Sequence, residues 1–192
     1  MEKYEETIEK LTVGQKLALV TGRLSEAEGA EAGIPCVRAA QLTDVEQGGI
    51  EYPSPAAAAN SWNAELVGQT AEELALRAKE KGINALVTPP ANVKGNLYVE
   101  GASEDPVLAG VLAGAHASAA LKAGVMPCMP CCALRETEIE YADMLVNQRA
   151  LREYYLKPFE IAACAAEGGA IVTSRAALKG EYADVNGTLV HR

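Results

Sequence analysis

Three cysteines stand close together past the middle of the chain, as Cys128-Met129-Pro130-Cys131-Cys132. Thiolates at C-x-x-C spacing are common first ligands of zinc and the common pair of a redox site. On a regular strand, however, Cys128 and Cys132 share one face roughly 13 Å apart, and Cys131 takes the other. One ion could gather all three only if the prolines at 127 and 130 made a sharp turn. There is no second C-x-x-C, and the two histidines sit at His116 and His191. Cys128, Cys131 and Cys132 therefore read first as buried, unreactive thiols, with a metal or redox site as the weaker alternative. A second group is the acidic run Glu136, Glu138 and Glu140, which could supply carboxylates but reads more simply as a solvated loop. Arg175 could bind an anion at a strand's C-terminal end, although an ion pair with a nearby Glu is the simpler role. Ser174 lacks the glycine context of a nucleophile elbow. Gly48-Gly49 and Gly168-Gly169 read as turn glycines, not as a phosphate loop.

The elements that must position these residues follow from spacing. Residues 3–21 predict one helix, with Ile8, Leu11, Leu17 and Val20 as an apolar stripe, followed by a flexible polar stretch from Ser25 to Gly33. A first short strand ends near Leu42-Thr43-Asp44. A helix over 60–81, capped by Asn60 or Ser61, is closed by Gly82 and followed by a strand over 83–88, which Pro89-Pro90 stops. Ser103-Glu104-Asp105-Pro106 opens another helix, with proline in the first turn and acids at the positive end of the dipole. Val125 to Cys132 is a third strand, made irregular by its prolines. A loop over 134–144 precedes a long helix over 147–167, kinked at Pro158, and residues 170–174 form a fourth strand.

An N-terminal helix followed by strand–helix alternation, with about four strands, predicts an α/β fold with parallel strands and helical crossovers. An eight-unit barrel needs ~250 residues, so 192 residues suit about half of a TIM barrel in a single domain, 1–192. Hydrophobic residues make up 49% and charged residues 22%, ordinary values for a globular chain. The net charge of −9 argues against nucleic acid as a partner. No apolar run reaches the ~18 residues that span a bilayer, so no membrane association is expected. Five cysteines, an odd number, fit a reducing compartment, and we expect a cytoplasmic protein without a cofactor.

Several ordered motifs carry a family resemblance. They are Gly33-Ile34-Pro35 with Leu42-Thr43-Asp44, Trp62-Asn63-Ala64-Glu65-Leu66, and Arg77-Ala78-Lys79-Glu80-Lys81-Gly82-Ile83-Asn84. Ser103-Glu104-Asp105-Pro106 and the run Arg149-Ala150-Leu151-Arg152-Glu153-Tyr154-Tyr155-Leu156-Lys157-Pro158-Phe159-Glu160 follow in the same order. From Leu11 to Asn186 the chain resembles the N-terminal barrel domain of family 3 glycoside hydrolases, the β-glucosidase family. The resemblance implies O-glycosyl hydrolase chemistry and places Asp44 at a sugar-binding aspartate. It puts the family's catalytic aspartate on a strand beyond Arg192, so no catalytic residue is assigned within these 192 residues. Retaining glycosidases need two carboxyl groups about 5–5.5 Å apart, and Glu136 and Glu138 are the pocket carboxylates that could approach Asp44.

The departures fall on sugar-binding positions. The family's Lys-His pair on the third strand aligns with Pro130-Cys131, and its Tyr-Asn after the fourth aligns with Arg175-Ala176. Its arginine loop is shortened to Lys94-Gly95-Asn96-Leu97-Tyr98-Val99-Glu100. The expectation is a glycosidase scaffold, inactive alone, with carbohydrate as a possible ligand. The alternative is a non-catalytic interaction module. A half barrel leaves open edges, which a second copy (as a dimer) or a separate partner chain would cover.

Overall fold

The computed structural model describes residues 5–21, 23–34, 36–41, 45, 51–95, 101–132 and 143–190, without the side chains of Cys131, Thr188 and Val190. The chain divides into two compact units, Met1–Arg38 and Ala39–Arg192.

In the first unit, two short helices, α1 (Glu5–Lys10) and α2 (Val13–Val20), replace the single one predicted over 3–21, and α3 (Glu26–Glu31) follows. The break lies at Thr12, whose extended backbone starts a new helix. Its hydroxyl accepts the Gln15 N–H at 3.2 Å, and the Gln15 side-chain carbonyl accepts the Thr12 N–H at 2.9 Å. This reciprocal capping box satisfies two donors that a continuous helix would pair internally. Ser25 and Glu28 repeat the motif and start α3, where the sequence predicts a flexible stretch. The Ser25 hydrogen bonds hold the Glu28 carboxyl below its usual range. Arg38 forks onto Glu26 at 2.8 Å, an exposed pair of little energetic weight.

The second unit is built on a parallel sheet in the order β1 (Ala39–Ala40), β2 (Ala85–Leu86), β3 (Met126–Cys132), β5 (Ala170–Thr173). Helix α4 (Pro55–Ala59) and helix α5 (Ala64–Glu80) lie between β1 and β2, and α6 (Pro106–Lys122) lies between β2 and β3. A segment made of α7 (Gln148–Ala150), a π-turn (Leu151–Tyr155) and α8 (Lys157–Ala165) precedes β5. This is the predicted α/β alternation of four parallel strand–helix units. The remaining strands, β4 (Asp143–Met144), β6 (Ala177–Leu178) and β7 (Glu181–Tyr182), form a small separate sheet before α9 (Gly187–Val190).

Caps account for the helix ends. The cap of α5 is Asn63, whose carbonyl oxygen accepts the Leu66 N–H at 3.1 Å; Asn60 instead closes α4. Asp105 caps α6 by accepting the Val107 N–H at 2.7 Å, with Pro106 in the first turn as predicted. The predicted kink at Pro158 takes the form of the π-turn. Pro158 has no N–H for the Tyr154 carbonyl, and the Leu156 N–H reaches back five residues to the Leu151 carbonyl at 2.8 Å.

The core lies between sheet and helices. Leu86 packs with Leu74, Ala75, Ala78 and Val125, while Met129 packs with Ala113, Leu151, Phe159 and Ala162. Helix α6 is the central one, flanked by α5 and α8. Gly110 and Gly114 allow its close approach to α8, since a Cβ on Gly110 would lie 2.8 Å from the Ile161 Cβ.

Candidate functional site at the strand ends

In parallel α/β sheets, chemistry gathers where the strands end. After β2 the chain runs through a cis Thr88–Pro89 bond into Pro90 and Asn92, and these residues are buried. The Asn92 amide donates to the Pro130 carbonyl at 3.2 Å, joining the end of β2 to the end of β3. Gly101 lies so close to this segment that a Cβ would sit 2.5 Å from the Asn92 carbonyl oxygen.

Pro130 marks a bulge. Met129 pairs with Ile171 and Cys132 with Thr173, so β3 spends three steps where β5 spends two. A proline cannot donate to the ladder, which is why the extra residue falls here. On a regular strand Met129 and Cys132, an odd number of residues apart, would face opposite ways. Both pack into the same cluster beneath α8, because the bulge resets the alternation. The regular-strand spacing of Cys128 and Cys132 expected from the sequence therefore does not hold. Beyond the bulge, the Ser174 N–H donates to the Cys132 carbonyl at 2.8 Å.

Burial decides the state of the thiols. Cys132 is pushed up to about 11, and Cys128 is also raised. Both are therefore neutral at pH 7, poor nucleophiles and poor metal ligands. Cys128, Cys132 and Cys164 are free thiols. Among the described residues, no three His, Cys, Asp or Glu side chains are grouped as a metal site would require. Arg175 is exposed in the turn between β5 and β6. Asp44, Glu136 and Glu138 lie outside the described residues, as does the Cys131 side chain. Of the residues singled out from sequence, the structure thus places Cys128, Cys132 and Arg175, and adds Asn92. The one sequence signal for Asn92 was its place just after the Pro89-Pro90 stop.

A cavity of about 70 Å³ opens beside the end of β2, within the helix layer. Val67, Thr70 and Leu74 face it from α5, and Leu112, Ala113 and His116 from α6. Thr88 and its two following prolines form the floor, and the segment from Tyr52 to Ala58 lies across it. His116 Nε2 lies 3.5 Å from Thr88 Oγ1. Burial pushes the imidazole down to about 4, so it is neutral at pH 7. The ring's remaining accessibility is consistent with its bordering the cavity. In sequence His116 is only one polar residue in an Ala- and Gly-rich helix.

The fold has counterparts among known proteins. Over 97% of its length the chain is 31% identical to the probable beta-glucosidase J of Aspergillus fumigatus. The chain is homologous to the N-terminal domain of family 3 β-glucosidases. Beta-glucosidase B of Emericella nidulans is 29% identical over 98% of the chain. The β-glucosidase homologue spans 23% and 24% of the length of these two relatives. Among solved structures, beta-glucosidase 3B from Thermotoga neapolitana in complex with glycerol superposes with a TM-score of 0.74 at 27% identity, over 84% of this chain and 25% of that one. A beta-glucosidase from Paenibacillus barengoltzii gives a TM-score of 0.76 at 28% identity, over 84% of this chain and 19% of that one. No family model matches the sequence. Among the described residues, no helix is long and apolar enough to cross a membrane.

Proposed function

We propose that this β-glucosidase homologue is a glycosidase scaffold that does not hydrolyse O-glycosides by itself. The observation that carries this reading is the chemistry at the ends of β2, β3 and β5. Sugar hydroxyls are held by dense, often charge-assisted hydrogen bonds worth ~1.5–3 kcal/mol each. At the end of β3 stand a proline at a bulge and a neutral, half-buried thiol, and the nearby Asn92 amide is already bonded to the Pro130 carbonyl. By resemblance, Pro130 and Cys131 occupy the positions of the family's cation and imidazole. Their replacement removes the strongest hydroxyl partners from that strand. The test is hydrolysis of a chromogenic aryl β-glucoside by the pure chain. We expect none above buffer. Turnover that is lost in Asp44→Asn would overturn the proposal and return the chain to the active O-glycosyl hydrolases.

A second reading, an interaction module, is favoured by the edge of the sheet. β5 pairs with β3 on one side, and among the described residues no strand pairs with its other side. Ile171 and Val172 on this strand are 46% and 43% exposed. An exposed apolar edge strand invites pairing, and we propose that a second copy or a separate chain covers it. Light scattering on the pure chain checks the self-pairing form: a dimer supports it, and a stable monomer at high concentration refutes it. Free thiols at Cys128, Cys132 and Cys164 suit a reducing compartment, and we propose a cytoplasmic location on that ground.

A further inference from the structure

The cavity beside β2 lies on the helix side of the sheet and has no part in the sugar chemistry discussed above. Its walls come from five separate segments, and among the described residues its ionisable side chains are His116 and Tyr52. Among the described residues no charged side chain lines it at neutral pH, since burial keeps the imidazole unprotonated. An ionic guest would lose its hydration without gaining a counter-charge, which excludes carboxylates, phosphates and amines. Size is equally selective. A volume of about 70 Å³ is roughly half the ~150 Å³ of an engineered apolar cavity that holds benzene. The guest it can enclose is therefore a small molecule, with fewer heavy atoms than a pyranose.

Of the lining residues with polar side chains, Tyr52, Thr70, Thr88 and His116, the last two lie together. His116 Nε2 and Thr88 Oγ1 are 3.5 Å apart, at the outer limit of a hydrogen bond. The imidazole and hydroxyl therefore hold each other weakly, and an inserted hydroxyl could bond to both. Val67, Leu74 and Leu112 give the lining its apolar part. We propose that this cavity is a binding site for a small uncharged molecule of the short-chain alcohol class, with its hydroxyl between His116 and Thr88 and its alkyl part against Val67, Leu74 and Leu112. The site is independent of whether the strand ends bind sugar.

The test uses the full chain and the two histidine ring signals in its NMR spectrum, His116 and His191. His191→Gln assigns the signals without touching the cavity. Propan-2-ol is the probe, with methanol as a smaller homologue, cyclohexanol as an oversized one, and acetate as a charged one. We expect a saturable shift of the His116 signal with propan-2-ol, half-complete in the millimolar range, as about four heavy atoms allow. Methanol should bind more weakly, and acetate and cyclohexanol should give no saturable shift. Thr88→Val should weaken propan-2-ol by about fivefold, the effect of one neutral hydrogen bond. If that variant does not fold, the series of probes on the unaltered chain still decides. A shift that is linear in alcohol, equal at His191, or matched by acetate would overturn the proposal, and would mean that the cavity holds only water.

Discussion

The close approach of α6 to α8 makes Gly110→Ala a sharp test of the packing. An added Cβ would lie 2.8 Å from the Ile161 Cβ and 3.0 Å from both Cα and O of Pro158. Carbon atoms in good contact sit ≈ 3.5–4.0 Å apart, so the helices must separate by roughly 0.5–1 Å. Pro158 is buried and its backbone is fixed by the ring, which leaves little room to yield. Overpacking of this kind costs about 1–3 kcal/mol, while replacing glycine by alanine in a helix returns about 1 kcal/mol. With two of the three contacts made to unyielding backbone, the cost falls in the upper part of that range, about 2–3 kcal/mol. The net expectation is a loss of about 1–2 kcal/mol, read as a lower midpoint of urea unfolding with an unchanged slope. Gly114 provides the comparison. Its added Cβ meets the Ala165 Cβ at 2.7 Å, but Ala165 is exposed at the last position of α8 and can move. Gly114→Ala should therefore cost less than Gly110→Ala, and Ala165→Gly should restore it while leaving Gly110→Ala unrelieved. A Gly110→Ala chain at least as stable as the parent would refute the close packing and the reasoning built on it.

The buried His116 predicts an acid weakness. Its folded pKa of about 4 lies below the ordinary imidazole value of 6.5, so between these pH values the unfolded chain binds a proton that the folded chain refuses. Stability should fall as pH drops from about 6.5 to 4, by up to ~3 kcal/mol and by less if water enters the cavity. The pH dependence of the urea midpoint should be shallower in His116→Gln over that window; identical curves would refute it. Iodoacetamide should modify exposed Cys36 and Cys164 in the folded chain and leave Cys132 unmodified until urea is added, as followed by mass spectrometry. Thr12→Ala should lower the protection of the Gln15 amide against hydrogen exchange and weaken α2 by about 1 kcal/mol.

Long helices with strong caps were legible in the sequence. Asp105-Pro106 and Gly124 bracket α6 to within a residue or two, because capping chemistry is local. The same local chemistry, applied at Thr12 and Ser25, would have found the breaks that an apolar stripe concealed. Two-residue strands such as β4, β6 and β7 are too short to carry a period, and their pairing is decided across the fold. The prolines announced an irregular β3, but only the register with β5 shows that Met129 and Cys132 come to share a face. The cavity was invisible for a related reason: its lining is drawn from segments as far apart as Tyr52 and His116, and no local pattern joins them.

Helix α6 has a consequence for how this chain can change over time. It turns buried alanines and glycines toward neighbours on both sides, from Ala109 to Ala120. A helix with one wet face can absorb substitutions there, whereas this one offers mainly Val107, Val111 and Lys122. Random mutagenesis with selection only for folded chain should therefore leave 109–120 nearly untouched while the strand ends drift. Such a lineage could lose its sugar chemistry entirely and still be recognisable by the small residues of one buried helix.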